Sequence, residues 1–349
     1  MPELPEVETV RRGLAELLPG RAVTQATVFN SPKSFPNTHT DVEQFLYGAR
    51  VTAVRRRAKV LMIDLDTRYS LVVHLKMTGQ LVFRQSSRYS ARVSPKKSRD
   101  PRKVAQDFSA DAAREIDDFA GGHPSDSLIG ELPDRSTRVQ IEFTDGSRLF
   151  FNDQRKFGWV KLLPTDEVKN LPFMQKVGPE PLDPQTRAED FIQRIRRRQN
   201  SMIKPAFLDQ TVIAGVGNIY ADEALWAAQI HPQTRVKNVS DRQLNTLFNE
   251  LRQILKLSID QGGSTDRNYV DAEGRKGNYL TFAHVFRREG QACHRHPDQA
   301  IIKLKVGGRG THICPVCQKP PKFDKSLFII YILTNRIYEC TLKRNTKYR

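Results

Sequence analysis

Apolar residues recur at Val7, Val10, Leu14 and Leu17. That spacing predicts one amphipathic helix, closed by Pro19-Gly20. From about Ala22 the period shortens. Lys59 to Leu65 and Leu71 to Leu75 are apolar runs between polar residues. Val139, Ile141 and Phe143 alternate with polar neighbours, Thr144-Asp145-Gly146-Ser147 turns the chain, and Leu149-Phe150-Phe151 returns. A helix followed by antiparallel strands as far as Leu163 predicts an α+β fold with an N-terminal antiparallel β-sandwich entered from a leading helix.

The pattern divides the rest of the chain. Residues 2–163 form the sandwich, interrupted from about 85 to 135 by a polar, glycine-bearing stretch that has the composition of an insertion. Residues 164–187 are proline-spaced and suit a linker. Residues 188–262 carry helical periodicity. Residues 263–279 begin with Gly263 and read as a loop as far as Lys276 and then a short strand. Residues 280–319 hold a cysteine cluster on hairpin strands, and 320–349 are a basic extension in which Phe328 to Leu333 has the character of an edge strand. No internal repeat occurs.

Charge narrows the partners. The 349-residue chain has a formal net charge of +17, which points to a polyanion, and to nucleic acid before a membrane. The first twenty residues carry Glu and Arg throughout, so no secretory leader is expected. The longest apolar run, Leu327 to Leu333, is far below the ~20 residues of a membrane helix. A cytoplasmic, nucleoid-associated protein is expected. Its four cysteines, Cys293, Cys314, Cys317 and Cys340, all lie near one end, which suits a local metal site and not a disulfide framework.

Three clusters carry candidate chemistry, and the chain start joins them. Loss of Met1 exposes the secondary amine of Pro2. An α-amine titrates near ~8, so a useful fraction of it is unprotonated and nucleophilic at neutral pH. Glu3 and Glu6 are the adjacent proton carriers, although Pro5, Glu6 and Glu8 also make an ordinary helix start. In the run from Ile203 to Glu223, Gly215 and Gly217 allow a tight turn, and Asn218 opens a helix whose N-terminus favours a phosphate. Cys293-x2-His296 and Cys314-x2-Cys317 have the spacing of a tetrahedral zinc site, with His294 as the alternative to His296. The strands between them flank Gly307-Gly308-Arg309-Gly310, which puts Arg309 at an exposed tip. Arg155 and Phe157, two apart on a loop, suit entry into a duplex, and Met77 is a third candidate.

The runs Pro2-Glu3-Leu4-Pro5-Glu6-Val7-Glu8, Ala58-Lys59, His74-Leu75-Lys76-Met77-Thr78-Gly79, Asp153-Gln154-Arg155-Lys156-Phe157-Gly158, Gly178-Pro179-Glu180-Pro181-Leu182, Ala214 to Glu223 and Gly308-Arg309-Gly310 closely resemble the bacterial formamidopyrimidine-DNA glycosylases. The match covers residues 2 to about 84 and 136 to 319 in family order. Endonuclease VIII relatives usually begin Pro-Glu-Gly-Pro-Glu, so Leu4 favours the former group.

The resemblance implies a β-sandwich, a helix–two-turn–helix domain and a zinc β-hairpin, with damaged double-stranded DNA in the cleft of a monomer. It implies Pro2 as nucleophile, Glu3 as acid and base, and Glu6 as a supporting carboxylate. Lys59, His74, Asn218 and Arg309 become phosphate grips. Met77, Arg155 and Phe157 become inserting side chains, and Lys204 joins the DNA-binding set. The loop from Ser264 to Lys276 corresponds to the lid over an everted base. One structural zinc ion is implied, on Cys293, His296, Cys314 and Cys317, where the family usually has four cysteines. The implied activity is base-excision repair of oxidised purines by a bifunctional glycosylase and AP lyase. A pyrimidine-lesion glycosylase and a non-catalytic zinc nucleic-acid-binding protein are the alternatives. Lys76 stands where a glycine is common.

Overall fold

A computed structural model describes residues 2–86, 118–122, 131–264 and 278–321. Helix α1 (Leu4–Leu17) leads into strands β1 (Val23–Val28), β2 (Val51–Arg57), β3 (Val60–Leu65), β4 (Tyr69–His74), β5 (Gly79–Arg84), β6 (Asp118–Gly122), β7 (Thr137–Phe143), β8 (Arg148–Asp153) and β9 (Trp159–Pro164), with a short helix α2 (His39–Phe45) between β1 and β2. One antiparallel sheet has the order β1-β7-β8-β5-β6 and the other β2-β3-β4-β9. Their inner faces meet through Leu61, Ile63, Val73, Leu81, Phe83 and Phe151. Val7, Val10 and Leu14 of α1 join the same core. Each is fully buried, worth ~2 kcal/mol of apolar transfer, and this anchors the body of the helix to the sandwich.

The second half is helical: α3 (Pro172–Lys176), α4 (Ala188–Arg196), α5 (Ile203–Phe207), α6 (Asn218–Ala227), α7 (Asp241–Asp260) and α8 (Tyr279–Phe282). Ser240 caps α7 by accepting from the Gln243 N–H at 3.2 Å. The stripe Leu244, Leu247, Leu251 and Leu255 packs on Phe191, Phe207 and Tyr220 as a second core. Leu4 belongs to this core, not to the one that holds the rest of α1. The first turn of α1 therefore bridges the two halves. Two hairpins follow, β10 (Ala292–Cys293) with β11 (His296–Ala300), and β12 (Ile302–Val306) with β13 (Arg309–Ile313).

Four expectations are corrected in detail. The insertion supplies a strand, β6, which pairs antiparallel with β5 at the sheet edge. Residues 164–187 are not bare linker. A 3₁₀ turn and α3 cover the outer face of the four-stranded sheet, where Val168, Phe173 and Met174 pack on Val60, Met62 and Val72. The element after the loop is the one-turn helix α8 instead of a strand; its chain is fixed by the Ser264–Asn278 bridge and by the buried Tyr279. Arg309 is the first residue of β13, opposite Val306. Gly307 and Gly308 alone form the turn, with φ of 54° and 79°, as a two-residue hairpin of this twist requires. The loop beyond Ser264, most of the insertion, Cys340 and the Phe328–Leu333 run lie outside the described residues.

Candidate active site

The two halves face each other across a cleft of about 510 Å³. Glu3, Glu6, Lys59, His74, Met77, Asn218 and Arg309 all line it. Pro2 is buried immediately before Glu3.

The floor is the start of α1. Glu6 Oε2 accepts the Glu3 N–H at 2.7 Å. Leu4 N–H donates to Gly215 O at 3.1 Å, and Glu3 Oε1 accepts the Ile219 N–H at 3.1 Å. This docking explains both glycines. A Cβ on Gly215 would meet the Leu4 side chain at 2.6 Å, and one on Gly217 would meet Glu3 Cδ at 2.1 Å. Glu3 Oε2 is buried without a partner. Burial pushes the Glu3 carboxyl up to about 7 and Glu6 adds to this, against the pull of Lys59. At neutral pH such a group is poised both to give and to take a proton.

Glu6 does a second job. Its Oε1 accepts from Ser264 N and Oγ at 2.8 Å each, and from Tyr220 Oη, which also bonds Ser258 Oγ at 2.6 Å. The base of the loop after Gly263 is thereby tied to the first turn of α1. Nothing local in the sequence ties Tyr220, Ser258 or Ser264 to Glu6, because the contacts of Tyr220 and Ser264 with it span 214 and 258 residues.

Lys59 follows Ala58, which holds a left-handed φ of 51°. Two forces hold that turn. Arg56 pairs with Glu8 and Glu180, and Glu180 also accepts the Ala58 N–H and pairs with Arg57. The Lys59 ammonium donates to Val216 O at 2.9 Å, an oxygen shared with Gln210 Nε2 at 2.8 Å. Burial lowers the Lys59 pKa, while Glu3 and Glu6 oppose the shift. The His74 pKa is lowered to about 3, by burial first and then by Lys76 and Lys59. His74 is therefore neutral, and because its Nδ1 accepts the Lys76 N–H at 3.0 Å, its proton sits on Nε2 as a donor.

Met77, Arg155 and Phe157 cluster at the rim. Arg155 Nη1 reaches Met77 Sδ at 3.2 Å, and its guanidinium lies 4.8 Å from the Phe157 ring centroid. Met77 and Phe157 are 42% and 54% exposed, so neither is spent on packing the core. The fully buried Asp153 fixes both loops, accepting from Gly158 N at 2.7 Å, Arg155 N at 3.1 Å and Thr78 Oγ1.

Lys204 departs from expectation. It is 0% exposed, so it does not face the cleft. Its ammonium lies 2.6 Å from Asp222 Oδ1 and donates to Thr311 Oγ1 at 2.7 Å and Gly310 O at 3.2 Å. Burial lowers its pKa against the pull of Asp222. The sequence marks a lysine here but not the hairpin that covers it.

The metal ligands converge. One donor atom each from Cys293, His296, Cys314 and Cys317 lie within 4.8 Å of one another. Cys293 Sγ to Cys317 Sγ is 3.7 Å, and His296 Nδ1 is 3.1 and 3.9 Å from the Cys317 and Cys314 sulfurs. Bonds of ~2.3 Å to sulfur and ~2.0 Å to nitrogen in a tetrahedron need edges of roughly 3.5–3.8 Å, so these three edges lie within about 0.4 Å of those of a zinc tetrahedron. His294 points away, to His284 Nδ1 at 2.9 Å and to Arg288. Burial, then the sulfurs of Cys314 and Cys293, push the Cys317 thiol up to about 12, a repulsion that a divalent cation would relieve.

The comparisons agree with one another. The formamidopyrimidine-DNA glycosylase N-terminal domain profile matches residues 1–160, and the H2TH domain profile of the same enzymes matches residues 177–269. Formamidopyrimidine-DNA glycosylases of Pelotomaculum thermopropionicum and Herpetosiphon aurantiacus are each 37% identical, over 91% of this chain and 99% and 100% of theirs. The Lactococcus lactis Fpg bound to abasic-site DNA is 30% identical with a TM-score of 0.71, covering 91% of this chain and all of that one. A MutM complex with DNA containing carbocyclic 8-oxo-G is 29% identical with the same TM-score and coverage. Among the described residues, no helix is long and apolar enough to cross a membrane. The chain belongs to the formamidopyrimidine-DNA glycosylase family.

Proposed function

We propose that the protein is a base-excision repair enzyme that removes oxidised purines, 8-oxoguanine and formamidopyrimidines, from duplex DNA and then cuts the strand. The observation that carries this reading is Glu3. It is a buried carboxyl poised near neutrality, next in sequence to Pro2, on the floor of a cleft lined with cations. A base inside the stack is out of reach of such a floor, so the nucleotide is everted at a cost of a few kcal/mol. Lys59, His74, Asn218 and Arg309 grip the phosphates that flank it. Met77 and Phe157 wedge the stack, and Arg155 faces the orphaned base.

In this reading the Pro2 amine, freed by loss of Met1, attacks C1′. The C1′–N bond breaks and the base leaves with its electron pair and takes up a proton. Glu3 protonates the ring oxygen, so the sugar opens and a Schiff base forms. That iminium acidifies the C2′ protons, and β- and then δ-elimination expel the two phosphates. Glycosylase and lyase steps share one covalent intermediate. Glu6 holds the Glu3 backbone and the loop base in register. A zinc ion on Cys293, His296, Cys314 and Cys317 shapes the hairpin, and four protein ligands leave it no open position. Every group in the scheme comes from one chain, so a monomer suffices for the chemistry.

Borohydride reduction in the presence of an 8-oxoguanine duplex tests this. Wild-type protein gives a covalent protein–DNA species, and Pro2→Gly greatly weakens it. Binding without trapping, in protein whose Met1 is shown to be removed, favours a non-catalytic zinc protein. Excision of thymine glycol in preference to 8-oxoguanine favours the pyrimidine-lesion class.

A further inference from the structure

We infer that Asp222 is a positioning residue for Arg309, acting through the buried Lys204 as a latch beneath the β12–β13 hairpin. This rests on the reading of Arg309 as a phosphate contact. Asp222 is 1% exposed and sits in the second turn of α6. Its Oδ2 accepts the His312 N–H at 2.9 Å and lies 3.3 Å from His312 Nδ1. Its Oδ1 lies 2.6 Å from the Lys204 ammonium, with both side chains 0% exposed. Lys204 in turn donates to Thr311 Oγ1 and Gly310 O, and Asn218 Nδ2 donates to the same Gly310 O at 3.0 Å. The three residues that follow Arg309 are thus each held to α5 or α6.

Apart from the latch, that end is held by Val306, opposite Arg309 and buried, and by Gly307, which lies close against Pro205 of α5. Ile302, Lys303 and Lys305 are exposed, as are Gly307 to Gly310. Together with that apolar hold, the polar latch sets where the Arg309 strand begins. A buried ion pair is weak evidence for stability, because desolvation consumes much of its Coulomb gain. Its value is directional, since the capacity the pair has left, Asp222 Oδ2 and the rest of the Lys204 ammonium, meets the His312 N–H, Thr311 Oγ1 and Gly310 O only with β13 in this register. Asp222 also offsets the charge of Lys204, which would otherwise oppose Arg309 nearby.

The test is a double-mutant cycle on the full chain, read as the slope of log Kobs for abasic-analogue duplex against log salt and as single-turnover excision. Arg309→Gln alone should flatten the slope by ~0.9, one phosphate contact. Asp222→Asn should remove part of the same slope and slow excision about tenfold or more. Combined with Arg309→Gln it should add nothing further, because both act on one contact. Thr311→Val, a milder cut at the same latch, should show a smaller effect that also vanishes in the Arg309→Gln background. Effects that multiply across the cycle overturn the inference, as does an Asp222→Asn protein with wild-type slope and rate. An unchanged slope in Arg309→Gln instead removes the phosphate reading on which the inference rests.

Discussion

Gly217→Ala tests the floor of the cleft at a single methyl group. Gly217 has φ −130° and ψ −164°, which any residue adopts, so the substitution adds no backbone strain. The added Cβ would lie 2.1 Å from Glu3 Cδ, 2.4 Å from Oε1 and 2.6 Å from Cγ. Ordinary contact begins at 3.4 Å, so the carboxyl must withdraw by 3.4 − 2.1 = 1.3 Å or more, and its bond from Ile219 N–H is lost. The moving part is the end of a flexible side chain, so folding loses at most about 1–3 kcal/mol, the cost of one buried hydrogen bond. The chemistry loses more. A displacement of ~1 Å can cost ~10²-fold, and a misplaced general acid ~10²–10⁴-fold. Single-turnover excision of 8-oxoguanine should therefore fall at least ~10²-fold, with affinity for a tetrahydrofuran duplex within about threefold of wild type. Gly215→Ala provides the contrast, because its φ of 80° and the 2.6 Å approach to Leu4 make it mainly a folding lesion, seen as a lowered melting temperature. Wild-type excision by Gly217→Ala would refute the assignment of Glu3 in this position as the reacting carboxyl.

Two further outcomes follow from the site. As an acid, Glu3 is spent as pH rises through about 7, so the excision rate should fall across that limb, and Glu3→Gln should abolish the limb together with most of the activity. The folded pKa lies above the ordinary 4.5, so the stability Glu3 contributes is complete below 4.5 and lost as pH rises through 7, by up to about 3 kcal/mol; Glu3→Gln should flatten the denaturant midpoint over that window. Chelation of the metal, or His296→Ala, should weaken duplex binding and free about one zinc equivalent by metal analysis, whereas His296→Cys should retain both; tight binding by metal-free protein would deny the ion its structural role.

The sequence was most legible where function is written in consecutive residues. The start from Pro2 to Glu8, the loop from Asp153 to Gly158 and the paired Cys/His knuckles are short runs whose chemistry depends on spacing, and the structure brings Glu3, Lys59, His74 and Arg309 to one cleft. Contacts between distant segments were not legible. Gly215 and Gly217 read as a turn before a phosphate-binding helix end, yet their lack of side chains makes room for Leu4 and Glu3. Lys204 read as a DNA contact and is buried against Asp222. Glu180 stood in a quoted motif without a role; only the fold shows it fastening the strained Ala58 turn behind Lys59. The polar composition of the insertion hides β6, which joins the sheet only at its edge, beside β5.

The divided allegiance of α1 has a mechanical consequence. Its opening leucine is sunk among the helices, while the turns that follow are sunk among the strands. Any widening of the cleft must either pull that leucine from its socket or carry Pro2 and Glu3 along with it. The width of the cleft and the position of Pro2 are thus coupled through one side chain.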